Sequence, residues 1–214
     1  MRHFCFSMLI LLLISGCREA RVTEWRLFDE EWRGIWVDAA FEGNGGMEAM
    51  EDGFVLKEGR PMTGMVLKAW LEKGLPVVDY SIEYEAMRVG GTDFFGTVTF
   101  PVGSAEQCVS FVLGGWGGGQ MGISSVDGQD AAGNETGSSR VFENGVWYPV
   151  KIVVRAGLLQ VWVDRAPVVH LMTRDRILGL RAGMEVCAPF GFATYGTEGR
   201  IRNVVVKVLP VEGW

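Results

Sequence analysis

Histidine is nearly missing from this chain of 214 residues, which holds two, and cysteine is scarce, with four. Only His170 lies beyond the N-terminal segment. That excludes a His-rich zinc site and argues against a Ser-His-Asp triad. No cluster of Lys or Arg is present to track a phosphate backbone, and the net charge is −6. Nucleic acid is therefore not expected as a partner, and an anionic polymer is a poor one. No Gly-rich loop leads from a strand into a helix, so there is no nucleotide fingerprint. A helical stripe longer than two turns and a repeat at solenoid spacing are both missing. The longest apolar run, Phe4 to Ile14, is shorter than the roughly 20 residues a spanning helix needs.

That run has a different meaning. Arg2 and His3 precede it, and Ser15-Gly16-Cys17 closes it, which is the build of a secretory leader. Leu13-Ile14-Ser15-Gly16-Cys17 resembles the bacterial lipobox. The resemblance implies removal of residues 1–16 and acylation of Cys17, several chains making a stable anchor where one would not. The expected place is the cell envelope, with the membrane contacted through the lipid alone. Residues 17–24 read as lipidated Cys and linker, and 25–210 as one domain. Cys108 and Cys187 then remain in an oxidising compartment, either bridged or as two buried thiols.

Glycine is abundant, at 30 residues, and hydrophobic residues make up 48% of the chain. Short alternating runs bounded by Gly, Asp and Pro dominate, as strands and tight turns require. Val77 to Val89 is a long alternating stretch. Val150 to Arg155 and Leu159 to Val163 read as a hairpin around Ala156-Gly157-Leu158. Asp29 to Trp36 and Leu67 to Leu71 have room for one helical turn each. The expected class is all-β, a sandwich or jelly roll.

Alternation also sorts candidate site residues. Tyr80, Ile82, Tyr84 and Ala86 suit a core, which turns Glu83 and Glu85 outward. Trp162 alternates with Val161 and Val163 in the same way. A face of Glu, Gln, Trp and Arg suits sugars: aromatic rings stack on C–H faces, and carboxylates and amides bind paired hydroxyls. The alternative is an ordinary solvated sheet face. The stretch Gly114 to Thr136 reads as a long loop carrying Trp116, Asp127, Asp130 and Glu135. Those three acids could hold Ca²⁺, which takes oxygen ligands, although the spacing is not that of an EF-hand. The bland alternative is a solvated loop. The three alternating acids of jelly-roll glycosidases are missing, since Glu83-Tyr84-Glu85 supplies two.

Several motifs together carry a resemblance. Glu85-Ala86-Met87-Arg88, Asp93-Phe94-Phe95-Gly96, Thr99-Phe100-Pro101-Val102-Gly103 and Gly114-Gly115-Trp116-Gly117-Gly118 resemble a planctomycete-type subgroup of the 3-keto-disaccharide hydrolase domain. Ser124 to Ala131, Asn134-Glu135-Thr136, Trp147-Tyr148, Trp162-Val163-Asp164 and Arg202-Asn203-Val204 extend it from about Trp25 to Leu209. The resemblance implies a concanavalin-like jelly roll handling glycans. A ketone at C3 acidifies the C2 proton, so one base and an oxygen clamp suffice for elimination of the C1 substituent. Glu85 is the expected base, with Arg88 or a metal on Asp127 and Asp130 as clamp. Glu83, Asp93, Trp116 and Trp162 are expected to bind substrate, and Glu85, Trp116 and Trp162 to share one concave surface. A lectin-like module and a structural sandwich without a small ligand are the alternatives.

Overall fold

The computed structural model describes residues 23–210. The leader and Cys17 lie outside the described residues. In chain order the strands are β1 (Glu24–Arg26), β2 (Val37–Asp38), β3 (Met47–Ala49), β4 (Gly53–Leu56), β5 (Met62–Val66), β6 (Tyr80–Gly91), β7 (Thr97–Pro101) and β8 (Cys108–Gly114). There follow β9 (Gln120–Ser124), β10 (Ser138–Ser139), β11 (Trp147–Arg155), β12 (Leu158–Val163), β13 (Ala166–Met172), β14 (Gly191–Tyr195) and β15 (Thr197–Val208).

Two antiparallel sheets face each other. One runs β13-β12-β11-β6-β15-β4-β3, with β1 added against β15; the other runs β10-β9-β8-β7-β14-β5-β2. This is the jelly-roll sandwich expected from the sequence. Between the sheets lies an aromatic core in which Trp36, Trp70, Phe190 and Phe192 meet at tilted or edge-on angles. Such pairs prefer offset or edge geometry because the ring faces are negative and the edges positive. Tyr80 and Tyr84 are fully interior, and each donates its hydroxyl to a backbone carbonyl, of Pro101 at 2.7 Å and of Gly96 at 2.9 Å. Neither hydroxyl is left to bear the cost of burial without a partner.

Turn chemistry fixes the hairpins. Arg155 pairs with Leu158, so Ala156-Gly157 is a two-residue loop, one residue tighter than the sequence suggests. Gly157 sits at φ +84°, where a side chain is disfavoured. At the next hairpin Asp164 and Arg165 both take positive φ, 53° and 66°, as a type I′ turn demands. The helical turn expected within Asp29 to Trp36 forms at Glu30–Arg33, acids first and Arg33 last, in line with the helix dipole. Leu67 to Leu71 forms hydrogen-bonded turns instead.

One expectation is corrected. Gly114 to Thr136 is not a loop throughout, because β9 lies inside it and pairs with β8. Its inward residues are Met121 and Ile123; its outward ones are Gly122 and Ser124, too small to mark the alternation in sequence.

Candidate functional site

Each strand of the seven-stranded sheet sends one set of residues into the core. Val98, Phe100, Val109, Phe111, Leu113, Ile123 and Phe192 all go inward. The alternate set lines the outer face, where Gly122, Val112, Thr97, Ala193 and Gly64 form one cross-strand row. Ser124, Ser110 and Thr99 form the next. The floor is built of small and hydroxyl-bearing residues, which leaves room above it. A cavity of about 380 Å³ opens over Thr97, Ser110 and Ser124. Met62, Phe94, Val112, Ala182 and Met184 supply apolar walls, and Asp93, Trp116, Arg181 and Tyr195 complete the lining. The volume is at the lower end of the range for small-molecule sites.

Trp116 is 45% exposed and Tyr195 43% exposed. Trp116 sits in a tight turn between β8 and β9 with φ 49° and ψ 53°, a left-handed conformation that a bulky residue rarely adopts. Glycines at 114 and 117, both at positive φ, bracket it. Asp93 holds the turn: its carboxylate accepts the Gly117 N–H at 2.9 Å and the Phe94 N–H at 2.8 Å. The Thr197 hydroxyl in turn accepts the Asp93 N–H at 3.1 Å. Across the mouth, the Arg181 guanidinium lies 5.4 Å from the Trp116 ring centre and 3.5 Å from the Asp130 carboxylate. Phe94 packs on Tyr195 with ring centres 5.7 Å apart.

Ser124 has a distinct place on this floor. Its neighbour Ser110 shares a 2.8 Å hydrogen bond with Thr99. Ser124 itself is 1% exposed, and its Oγ has no hydrogen-bond partner in the protein. An unpaired interior hydroxyl costs roughly 1–3 kcal/mol relative to a paired one.

The other expected site residues are elsewhere. Glu83, Glu85 and Trp162 lie on the outer face of the eight-stranded sheet, since their alternates Ile82, Tyr84, Val161 and Val163 are in the core. Trp116 is on the opposite side of the sandwich, so the expected shared surface of Glu85, Trp116 and Trp162 does not exist. The reason is the crossover: β6 and β8 belong to different sheets. Glu85 accepts hydrogen bonds from Arg202 and Asn203, both at 2.8 Å. Partial burial pushes its carboxyl up, but Arg202 and Asn203 more than offset this and hold it below the usual range. Glu83 is placed likewise, between Lys151 at 3.2 Å and Lys207 at 3.3 Å. Arg202 also stacks on Trp147 at 4.0 Å.

Arg88 is 8% exposed and turned inward, away from Glu85. It donates to Asn144 at 2.6 Å and to the carbonyls of Gly118 and Phe142, so it pins the Trp116 turn to the following loop. As an oxygen clamp for a base at Glu85 it is on the wrong face.

The three candidate metal ligands are drawn to cations of the protein itself. Asp127 and Glu135 both pair with Arg176, and Asp130 pairs with Arg181. The Ile177 N–H first, then Arg176, hold Asp127 low; Arg176 is the main cause for Glu135. Among the described residues no group of three or more His, Cys, Asp or Glu is arranged to hold a metal ion. This cluster does not fit Ca²⁺. Cys108 and Cys187 are buried free thiols, pushed by burial up to about 11 and about 12.

No family model matches the chain, and no curated protein matches it. Solved structures do. The chain is similar to the carbohydrate-binding module CBM66 from Bacillus subtilis, at 12% identity and TM-score 0.51, covering 81% of this chain and 95% of that one. Domain 4 of AbnA, a GH43 extracellular arabinanase from Geobacillus stearothermophilus in complex with arabinotriose, matches at 15% identity and TM-score 0.54, covering 89% and 93%. Crh5 transglycosylase in complex with NAG matches at 11% and 0.58, covering 89% and 85%. At these identities the likeness establishes the sandwich fold.

Of the cleft residues, Asp93 and Trp116 were legible in the sequence. Phe94, Ser124, Arg181 and Tyr195 were not. Tyr195 had one signal, an aromatic just before Gly196 at the end of an alternating run.

Proposed function

We propose that the protein binds a glycan in the cleft on the outer face of the seven-stranded sheet. It does so at the cell envelope, anchored through a lipid on Cys17 after loss of residues 1–16. The observation that carries the reading is Trp116: a large ring, half in solvent, held by Asp93 in a backbone conformation that costs energy, with the exposed Tyr195 lining the same cavity. Strain of this kind concentrates at ligand sites, and exposed aromatics suit the C–H faces of sugar rings. Support also comes from the neighbours in fold, one named a carbohydrate-binding module and two solved with arabinotriose or NAG.

The second reading is cleavage of a 3-keto-glycoside in the same cleft. It draws on the motif resemblance and on Asp93, the one carboxylate among the lining residues. One Asp93 oxygen accepts the Gly117 N–H of the turn and the other accepts the N–H of its own neighbour Phe94, so both already have a structural task. Binding is therefore the preferred reading.

The test is a glycan screen followed by calorimetry on the best ligand with Trp116→Ala. Loss of one stacking ring, worth about 1 kcal/mol, lowers affinity roughly fivefold. An unchanged affinity would place the binding surface elsewhere. Consumption of a 3-keto-glycoside in the same screen, lost in Asp93→Asn, would shift the preference to catalysis.

A further inference from the structure

We infer that Arg176, held between Asp127 and Glu135, is a positioning residue for the cleft: it fixes the wall that faces Trp116 and so sets the affinity for a glycan. This rests on the glycan-binding reading and gives the acid cluster a task within it.

The wall needs a latch because of the topology. β13 is the edge strand of the eight-stranded sheet, and β14 lies inside the other sheet, between β7 and β5. Residues 173–190 cross from one to the other. On the way they give Arg181, Ala182 and Met184 to the cavity lining. Arg181, Ala182 and Gly183 are exposed, so little apolar burial holds the rim itself in place.

The two sides of the rim are fastened differently. After it, Met184 and Cys187 are buried in a small apolar cluster with Val66 and Ala193. Before it, the chain is tied to the segment that follows β9. Arg176 Nε donates to Asp127 at 2.6 Å, and its Nη1 pairs with Glu135 at 2.5 Å. The other Asp127 oxygen accepts the Ile177 N–H at 2.8 Å. The Asp127 N–H donates to the Ile177 carbonyl at 2.7 Å, and Ser125 and Gly179 exchange backbone hydrogen bonds. A guanidinium suits this task because its N–H groups point in fixed directions, here one toward each carboxylate. The loop that carries the two acids is itself stitched by Asn134, whose amide donates to the Ile123 and Asp130 carbonyls, each at 2.8 Å. The acids are thus on firm ground, and Arg176 ties the wall to it. If that tie is lost, Arg181 is no longer held over the Trp116 ring, and a ligand must first bring the wall back. Apparent affinity then falls in proportion to the fraction of molecules with the wall in place.

The probes are arabinotriose and N-acetylglucosamine, both uncharged, titrated into the purified protein by calorimetry. Direct contacts to an uncharged sugar barely respond to salt. Ion pairs in solvent do, since the Debye length shrinks to about 3 Å at about 1 M. We expect the affinity for at least one probe to fall as sodium chloride is raised to that level. Arg176→Gln should lower the low-salt affinity about fivefold, as for a wall in place in about one molecule in five, and remove most of the salt dependence. Hydrogen exchange should quicken in residues 177–183 and not across the sheets. Arg176→Lys, which keeps the charge but reaches one carboxylate, should recover part of the affinity. Glu135→Gln added to Arg176→Gln should cost nothing further, because the two act through one contact. Unchanged affinity in Arg176→Gln, a salt dependence undiminished by it, or exchange quickened throughout the chain overturns the inference while the cleft remains a glycan site. If neither probe binds, the inference falls; if Trp116→Ala also leaves every ligand of the wider screen unaffected, the glycan-binding reading falls with it.

Discussion

Trp116 and Asp93 act as one unit at the residue scale. A non-glycine residue in the left-handed region costs about 1–2 kcal/mol, and the Asp93 carboxylate offsets part of this by accepting the Gly117 N–H of the turn while it also accepts the Phe94 N–H. Asp93 is thus a positioning residue for the ring. Asp93→Ala should destabilise the fold by about 1–3 kcal/mol and release the turn. The check has two parts: a lower midpoint in denaturant, and a red shift of tryptophan emission that disappears when Trp116 is also replaced by Phe. Asp93→Ser, which can still accept one hydrogen bond, should recover part of both. An emission spectrum indifferent to Asp93 would mean that the turn holds itself.

At the scale of elements, the central pair β6–β15 carries a line of charge on its outward face, with Glu83 and Glu85 set among Lys151, Lys207 and Arg202. Both carboxyls are lowered in the folded protein. A lowered carboxyl adds stability above its unfolded value, about 4.3, and that stability is lost as pH falls through the lower folded value. The thermal midpoint should therefore drop as pH is taken below about 4.3, and Glu83→Gln with Glu85→Gln should flatten that drop while costing little extra at pH 2. A double variant with the same acid profile as the parent would refute the assignment. The face is half in solvent, so the size of the effect is small and reduced by salt.

Elements were also the level at which the sequence spoke most clearly. The strict two-residue period of β6, β11 and β12 told inside from outside correctly at Glu83, Glu85 and Trp162, because a half-buried strand must alternate. What period cannot tell is which sheet a strand joins. β6 and β8 follow one another closely in the chain yet lie in opposite sheets, so residues sorted to an outward face were assigned to one surface when there are two. The acid cluster failed for a different reason. Oxygen-bearing side chains near one another in sequence suggest a cation, but Arg176 and Arg181 arrive from some 40 to 50 residues later, beyond the reach of local pattern. Ser124 was invisible because an unpaired hydroxyl is a property of surroundings, not of sequence.

For the whole molecule, the first described strand and the last are neighbours: Glu24 of β1 stands opposite Lys207 of β15. The described chain therefore begins at the eight-stranded sheet, away from the cleft face of the other sheet. A lipid on Cys17 would leave the cleft free to meet a ligand. Cys17→Ser should move the protein from the membrane fraction to the soluble one with glycan affinity intact. Retention on membranes after a high-salt wash would argue for a second mode of attachment.

The position of β15 has a consequence in time. It is the last of the described strands, yet it lies inside its sheet, paired on one side with β6 and on the other with β4 and β1. Until Thr197–Val208 is made, β6 and β4 each have an open edge and nothing to join them. The sandwich cannot close early. For a chain proposed to cross a membrane as an extended thread, that order of assembly keeps the eight-stranded sheet open until β15 is made.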